Sequence, residues 1–474
     1  MRNAETAVAA VAERLRDPER VRAIAARPGN EDARTGASPW SAASLGEGHP
    51  GVALLYAELA RRDRSWRPVT HAHLSSAVAA LGAGGPTDSL FSGAPALALA
   101  VRRAVAGPGD YAGLLAALDR RVAARTGALL RLERERLDAA RTGPAMAGYD
   151  VVGGLTGLGR YLLACGEGQR PLLVALLEHL VALSRPLRID GSELPGWWVP
   201  GPPSPAVAAR YPGGHLNLGL AHGIPGPLAL LSLARLAGVD VPGAAGAAHR
   251  IAGWLLGQRL RDAAGVPQSD WPAVVGPEAA VGRGRAVGPE PVIGADGEAA
   301  VSGGAPARIA WCYGSPGIAR ALQLAGRAFG VPEWEAEAVR ALHAALDRPR
   351  ERWGLDDAML CHGTAGLLQV AGRVARDSGD ARLAARLPGL VGEVLASYDG
   401  AVAFGFPTPP VGGRGGGTRA REQDPARERG PDRAGFLEGA AGVALALLAQ
   451  CGSTDDGEGH GDGELPWDAA LLLA

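Results

Sequence analysis

The chain has 474 residues, 47% of them hydrophobic and 20% charged, so it can bury a large core. Its 48 basic and 49 acidic residues leave a formal net charge of -1, which argues against nucleic acid as the main partner. Four cysteines in so long a chain do not make a disulfide scaffold, and no apolar run reaches the roughly 18 residues of a membrane-spanning helix. Residues 1–27 are charged throughout and lack the apolar centre of a signal peptide, so the protein reads as cytoplasmic. All 48 basic residues are arginine, which with the abundant alanine and glycine reads as compositional drift.

In chain order, the sequence alternates two kinds of segment. The first is a short Gly-x-x-Gly turn followed by an apolar run at helical spacing. Gly48-His49-Pro50-Gly51 comes first, then Gly93-Ala94-Pro95-Ala96, which lacks the second glycine. Gly154-Leu155-Thr156-Gly157, Gly223-Ile224-Pro225-Gly226, Gly314-Ser315-Pro316-Gly317, Gly363-Thr364-Ala365-Gly366 and Gly439-Ala440-Ala441-Gly442 follow. The second kind is an amphipathic stretch with apolar residues three and four apart. These stretches are 5–26, 70–81 (the weakest), 111–139, 170–183, 244–260, 331–346 and 380–397. No convincing run of period-two strands is present. Seven apolar helices alternating with seven amphipathic ones predict an all-α fold. Its architecture is an α/α toroid of about seven inner and seven outer helices, each repeat burying a face it could not bury alone. Two segments, 263–307 and 408–434, are rich in Gly, Pro and charge and read as mobile insertions. They interrupt the repeat without ending it, so 1–474 reads as a single domain.

The chemistry-bearing residues cluster just before the turns. Cys312 lies two residues before Gly314; Cys361 and His362 stand directly before Gly363. Cysteine and histidine are the usual zinc ligands, and three of them leave a fourth position open. Neighbours such as Cys361 and His362 point apart on a strand but can converge in a loop entering a helix. A helix N-terminus also favours the thiolate. His222 precedes the fourth turn, Asp150 lies four residues before the third, and Arg308 precedes Cys312 by four. If the turns share one rim of a helical barrel, all six side chains surround one mouth. Read singly, each has an ordinary alternative: a buried apolar cysteine, a helix-capping histidine or aspartate, a surface arginine. Cys165 and Cys451 sit in apolar helical surroundings and read as structural.

The sequence resembles the lanthionine synthetase C-like cyclases. The resemblance rests on Trp311-Cys312-Tyr313-Gly314, Cys361-His362-Gly363 and 217–226 (Asn-Leu-Gly-Leu-Ala-His-Gly-Ile-Pro-Gly). Pro195-Gly196-Trp197-Trp198-Val199-Pro200, Tyr149-Asp150, Arg308 and Pro466-Trp467-Asp468 with Leu471-Leu472-Leu473 are similar too. The resemblance implies Zn2+ held by Cys312, Cys361 and His362. It also implies proton transfer by His222, oriented by Asp150, and enolate stabilisation by Arg308. The implied substrate is a dehydrated leader–core precursor peptide whose cysteine thiols add to dehydroalanine or dehydrobutyrine, forming thioether rings. A dehydratase and an export transporter are the implied partners, and they could hold the cyclase at a membrane. A relative adding glutathione to dehydroamino acids, or a non-catalytic scaffold, stands as the alternative. A prenyltransferase subunit, also a helical toroid with zinc, does not fit the motifs.

Overall fold

A computed structural model describes residues 2–33, 35–82, 88–189, 191–280, 291–293, 299–301, 307–409, 429–451 and 465–474. The helices run α1 (Arg2–Leu15), α2 (Pro18–Ala25), α3 (His49–Arg62), α4 (Arg67–Gly82), α5 (Gly93–Ala104), α6 (Ala112–Ala139), α7 (Leu155–Leu163) and α8 (Arg170–Leu183). They continue α9 (Pro225–Leu236), α10 (Ala244–Gly257), the one-turn α11 (Pro277–Ala280), α12 (Ser315–Phe329), α13 (Pro332–Leu346), α14 (Thr364–Ser378), α15 (Ala381–Ala396) and α16 (Ala440–Leu448).

Every glycine turn opens an inner helix. Successive inner helices touch in order: α3 with α5, α5 with α7, α7 with α9, α9 with α12, α12 with α14, and α14 with α16. Then α16 packs back on α3 and closes the ring. The outer helices α4, α6, α8, α10, α13 and α1 each sit over the junction of two inner neighbours, and α15 packs on α14 between α13 and α1. This is an α/α toroid with seven helices in each ring. The inner helices are buried on nearly every side, as in α14, where Ala365, Leu367, Leu368, Val370 and Ala371 are all inaccessible.

The second glycine of each turn has a steric cause. The chain entering each inner helix doubles back over its first turn, so a carbonyl six residues earlier presses on that glycine. A Cβ at Gly157 would lie 2.0 Å from the Val151 carbonyl oxygen, and one at Gly442 only 1.8 Å from that of Phe436. The neighbouring repeat adds its own side chain: Leu90 presses on Gly157, Leu220 on Gly317 and Phe436 on Gly51. At these six turns only a residue without a Cβ lets the strips of chain crowd together; the second turn carries Ala96 at the equivalent place. Backbone hydrogen bonds then stitch the rim. Val151 N–H donates to Ala221 O, Ala221 to Cys312, Cys312 to Cys361, Cys361 to Leu437, Leu437 to Gly46, and Leu45 to Phe91.

The structure departs from the sequence reading in three places. The stretch 5–26 is two helices, because Pro18 starts α2 and the Asp17 side chain caps it by accepting from the Glu19 and Arg20 N–H groups. Three antiparallel ribbons occur among the described residues: β1 (Leu187–Ile189) with β2 (Ser192–Leu194), β3 (Leu216–Asn217) with β4 (Val274–Val275), and β5 (Pro291–Ile293) with β6 (Ala299–Val301). Strands of two or three residues are too short to show a period. Part of the 263–307 segment is built into the wall. Trp271 is fully buried, donates Nε1 to Leu255 O at 2.7 Å, and leads into β4. Residues 281–290, 294–298 and 302–306 of that segment, and 410–428 of the second one, lie outside the described residues.

The C-terminal segment fills the inside of the ring. Leu471, Leu472 and Leu473 are inaccessible. Trp311 Nε1 donates to Leu471 O at 2.9 Å, Arg320 Nε to Leu473 O at 2.9 Å, and Arg160 Nη2 to Ala474 O at 2.8 Å. These donors come from α7, α12 and the strip before α12. Asp468, also inaccessible, accepts from Gln369 Nε2 at 2.6 Å and from Arg373 Nε at 2.8 Å. Burial alone would raise its carboxyl; the Arg373 guanidinium outweighs it and holds the pKa below the usual range.

Candidate metal centre

The rim bond from Cys312 N–H to Cys361 O, 3.2 Å long, draws two adjacent turns together. Both thiols therefore face one spot. His362 reaches the same spot because the chain here is turning rather than extended. One ligand atom from each of Cys312, Cys361 and His362 lies within 4.8 Å of the others. Cys312 is buried, whereas Cys361 and His362 are partly open towards the mouth.

The protonation states suit a cation. Cys312 is pulled well below the usual thiol range, to about 5, chiefly by its hydrogen bond with Cys361. Burial opposes this, and His362 and the Arg308 charge add to it. Burial lowers His362, but the Asp357 carboxylate and the Cys312 thiolate outweigh it and raise the pKa to about 9. The two shifts run in opposite directions, favouring the thiolate at Cys312 and the imidazolium at His362, as a site suited to a cation would. Asp357 Oδ2 lies 3.6 Å from His362 Nε2, while Asp357 Oδ1 accepts from the Met359 N–H at 2.9 Å. A carboxylate behind a histidine orients the ring and strengthens it as a ligand. Two sulfurs and one nitrogen form a soft donor set that fits zinc, with one position left open.

One rim position away, Asp150 Oδ2 lies 2.8 Å from His222 Nδ1. The other carboxylate oxygen accepts the Gly153 N–H at 2.6 Å, so Asp150 cannot swing away. A carboxylate can only accept, which places a proton on Nδ1 and leaves Nε2 to exchange one. The Tyr313 ring lies 6.4 Å from that of His222, and its hydroxyl accepts from Asn217 Nδ2 at 2.9 Å. Asn217 Oδ1 in turn accepts from the Gly219 N–H at 2.8 Å. Arg308 is close enough to act electrostatically on Cys312. Its carbonyl would lie 1.8 Å from a Cβ at Gly314, whose φ of +104° also demands glycine.

The family model described as lanthionine synthetase C-like protein matches residues 39–456. The chain belongs to the lanthionine synthetase C-like family. Nisin biosynthesis protein NisC of Lactococcus lactis subsp. lactis is 26% identical over 334 residues, which span 69% of this chain and 72% of that protein. The solved structure of nisin cyclase matches with a TM-score of 0.69 at 23% identity, covering 92% of this chain and 93% of that one. This structural likeness establishes the shared fold.

Within this lanthionine synthetase C-like toroid, the predicted residues fall on consecutive rim positions: Asp150 and His222, then Arg308 and Cys312, then Cys361 and His362. Three neighbours escaped assignment from sequence: Tyr313, Asn217 and Asp357. The first two lie inside motifs that were quoted, but nothing in their spacing marks them. Asp357 precedes His362 by five residues in an irregular loop, where no period tells which way a side chain points. Cys165 and Cys451 are away from the rim, their thiols pushed up by burial. His49 is buried against His73, with their Nδ1 atoms 3.2 Å apart.

Proposed function

We propose that this protein is a zinc-dependent lanthipeptide cyclase, with Cys312, Cys361 and His362 as the metal ligands. The observation that carries this reading is the three-ligand cluster beside the Asp150–His222 pair on one rim. The family match supports it, as do the relative named for nisin biosynthesis and the fold shared with nisin cyclase. The substrate is a dehydrated leader–core peptide, supplied by a dehydratase and passed to an exporter. No helix among the described residues is long and apolar enough to cross a membrane. The chain acts as one cyclase domain.

When bound, zinc lowers the pKa of a substrate thiol from about 8.5, so that it reacts as thiolate. The sulfur pair forms the C–S bond at the β-carbon of a dehydroamino acid. The π electrons move towards the α-carbon and its carbonyl, giving an enolate. Arg308 faces the negative charge that develops on that oxygen. His222, held by Asp150, takes up the thiol proton on Nε2 and delivers it to the α-carbon. The thiol proton lost equals the α-proton gained, so the ring closes without change of mass.

Purified protein should carry about one zinc per chain. Cys312→Ala, Cys361→Ala and His362→Ala should each lose it while helicity survives. Full zinc retention in all three would overturn the assignment of ligands. Cyclisation of a dehydrated precursor, with thiols counted by alkylation, tests the activity itself.

A further inference from the structure

The C-terminal segment 465–474 lies beyond the family model's match, which ends at residue 456. That segment is clamped to both ligand-bearing repeats. On one side it receives Trp311 Nε1, one peptide bond from Cys312, and Arg320 Nε from α12. On the other, Gln369 and Arg373 of α14, the helix behind Cys361 and His362, hold Asp468. The Trp311 indole is inaccessible, and its N–H is satisfied inside the protein. Leaving it unsatisfied would cost about 1–3 kcal/mol. The Leu471 carbonyl is the partner, so the bond anchors the side chain one peptide bond from Cys312. Leu472 has a φ of +55°, unusual for a side chain branched at Cγ and sustained only where surroundings dictate it.

We infer that the C-terminal segment positions the Cys312 thiolate for the metal through the Trp311–Leu471 hydrogen bond. Trp311 and Asp468 are positioning residues: neither touches the metal spot. The inference rests on the metal reading above. Groups behind a ligand typically contribute 10–100-fold to metal affinity, so a loss of about tenfold is expected.

The test uses full-length protein and two variants. Trp311→Phe keeps the ring and removes the one N–H; Asp468→Asn keeps the shape and weakens the clamp to α14. Zinc affinity is measured by competition with a chromophoric chelator, and cobalt(II) is loaded to read thiolate geometry from its visible bands. Both variants should bind zinc about tenfold more weakly and shift the cobalt bands, at temperatures where circular dichroism shows them folded. Altered stability alone would leave the cobalt bands in place. Wild-type zinc affinity and cobalt bands in a folded Trp311→Phe would overturn the inference. Weakened binding in Trp311→Phe with wild-type behaviour in a folded Asp468→Asn would remove the α14 clamp from it. If neither variant folds, Leu472→Pro, which cannot take the positive φ there and so displaces the Leu471 carbonyl, repeats the comparison against Leu472→Gly, which should retain wild-type bands. Wild-type protein that binds no zinc at all would overturn the metal reading first.

Discussion

Asp150→Asn isolates the proton-transfer half of the site from the metal half. The substitution is isosteric, and the side chain is 6% exposed and bonded on both oxygens, so the loop keeps its shape. Asn can still accept the Gly153 N–H. It must then present its amide NH2 to His222 Nδ1, which has to give up its proton and accept. The imidazole is forced into the opposite tautomer, with Nε2 protonated and unable to cycle. The lost charge-assisted hydrogen bond alone is worth about 1.5–3 kcal/mol, a factor of roughly 10 to 150 in rate. Loss of the working tautomer takes the total towards the 10²–10⁴-fold typical of general acid–base groups. The assay is cyclisation of a dehydrated precursor, with free thiols alkylated and counted by mass spectrometry. The spontaneous rate is subtracted, ring patterns are compared, and zinc content is measured in the same samples. Wild-type rate and products at full zinc occupancy would show that thiol activation suffices and that the dyad is structural.

Three further predictions follow from the same geometry. Asp357→Asn should weaken zinc binding by about tenfold, because it removes the carboxylate behind His362; unchanged affinity in a chelator competition would refute that role. Zinc binding should tighten as pH rises from about 5 to about 9, since metal must displace the proton on His362, whose pKa is raised to about 9. Calorimetry in buffers of different ionisation enthalpy should find net proton release at pH 7, and none released would refute the thiolate–imidazolium picture. Gly157→Ala should cost about 1–3 kcal/mol of stability by overpacking, since its Cβ would lie 2.0 Å from the Val151 carbonyl oxygen. A denaturation midpoint equal to wild type would refute the rim geometry.

The ring itself was legible because it repeats. Seven glycine turns before apolar runs give the inner helices, and the charged stretches between them give the outer ones. The candidate metal cluster was legible for the same reason: Cys312, Cys361 and His362 precede the glycine turns of two adjacent repeats, so their convergence follows once the repeats share a rim. His222 and Asp150 followed likewise. What could not be read depends on contacts without a period. The Asp17–Pro18 break within 5–26 is a local stop signal that the amphipathic pattern overran. Trp271 and β4 are buried within a segment whose composition alone suggests a loop, because a single large aromatic carries the packing there. Asp357 and Asn217 take their roles from loop conformation, which no periodicity reports.

The lodging of Leu471–Leu473 inside the helical ring makes this molecule a cup rather than a pipe. Under the proposed function, a peptide would not be drawn through it from end to end. Each loop of substrate would be lowered to the rim and lifted back out on the same side. A tail already tied into rings therefore never has to squeeze past the protein, and its bulk sets no limit on the next closure. The order in which cysteines reach the rim is then decided outside the cup, by which stretch of the peptide can still bend far enough to dip in.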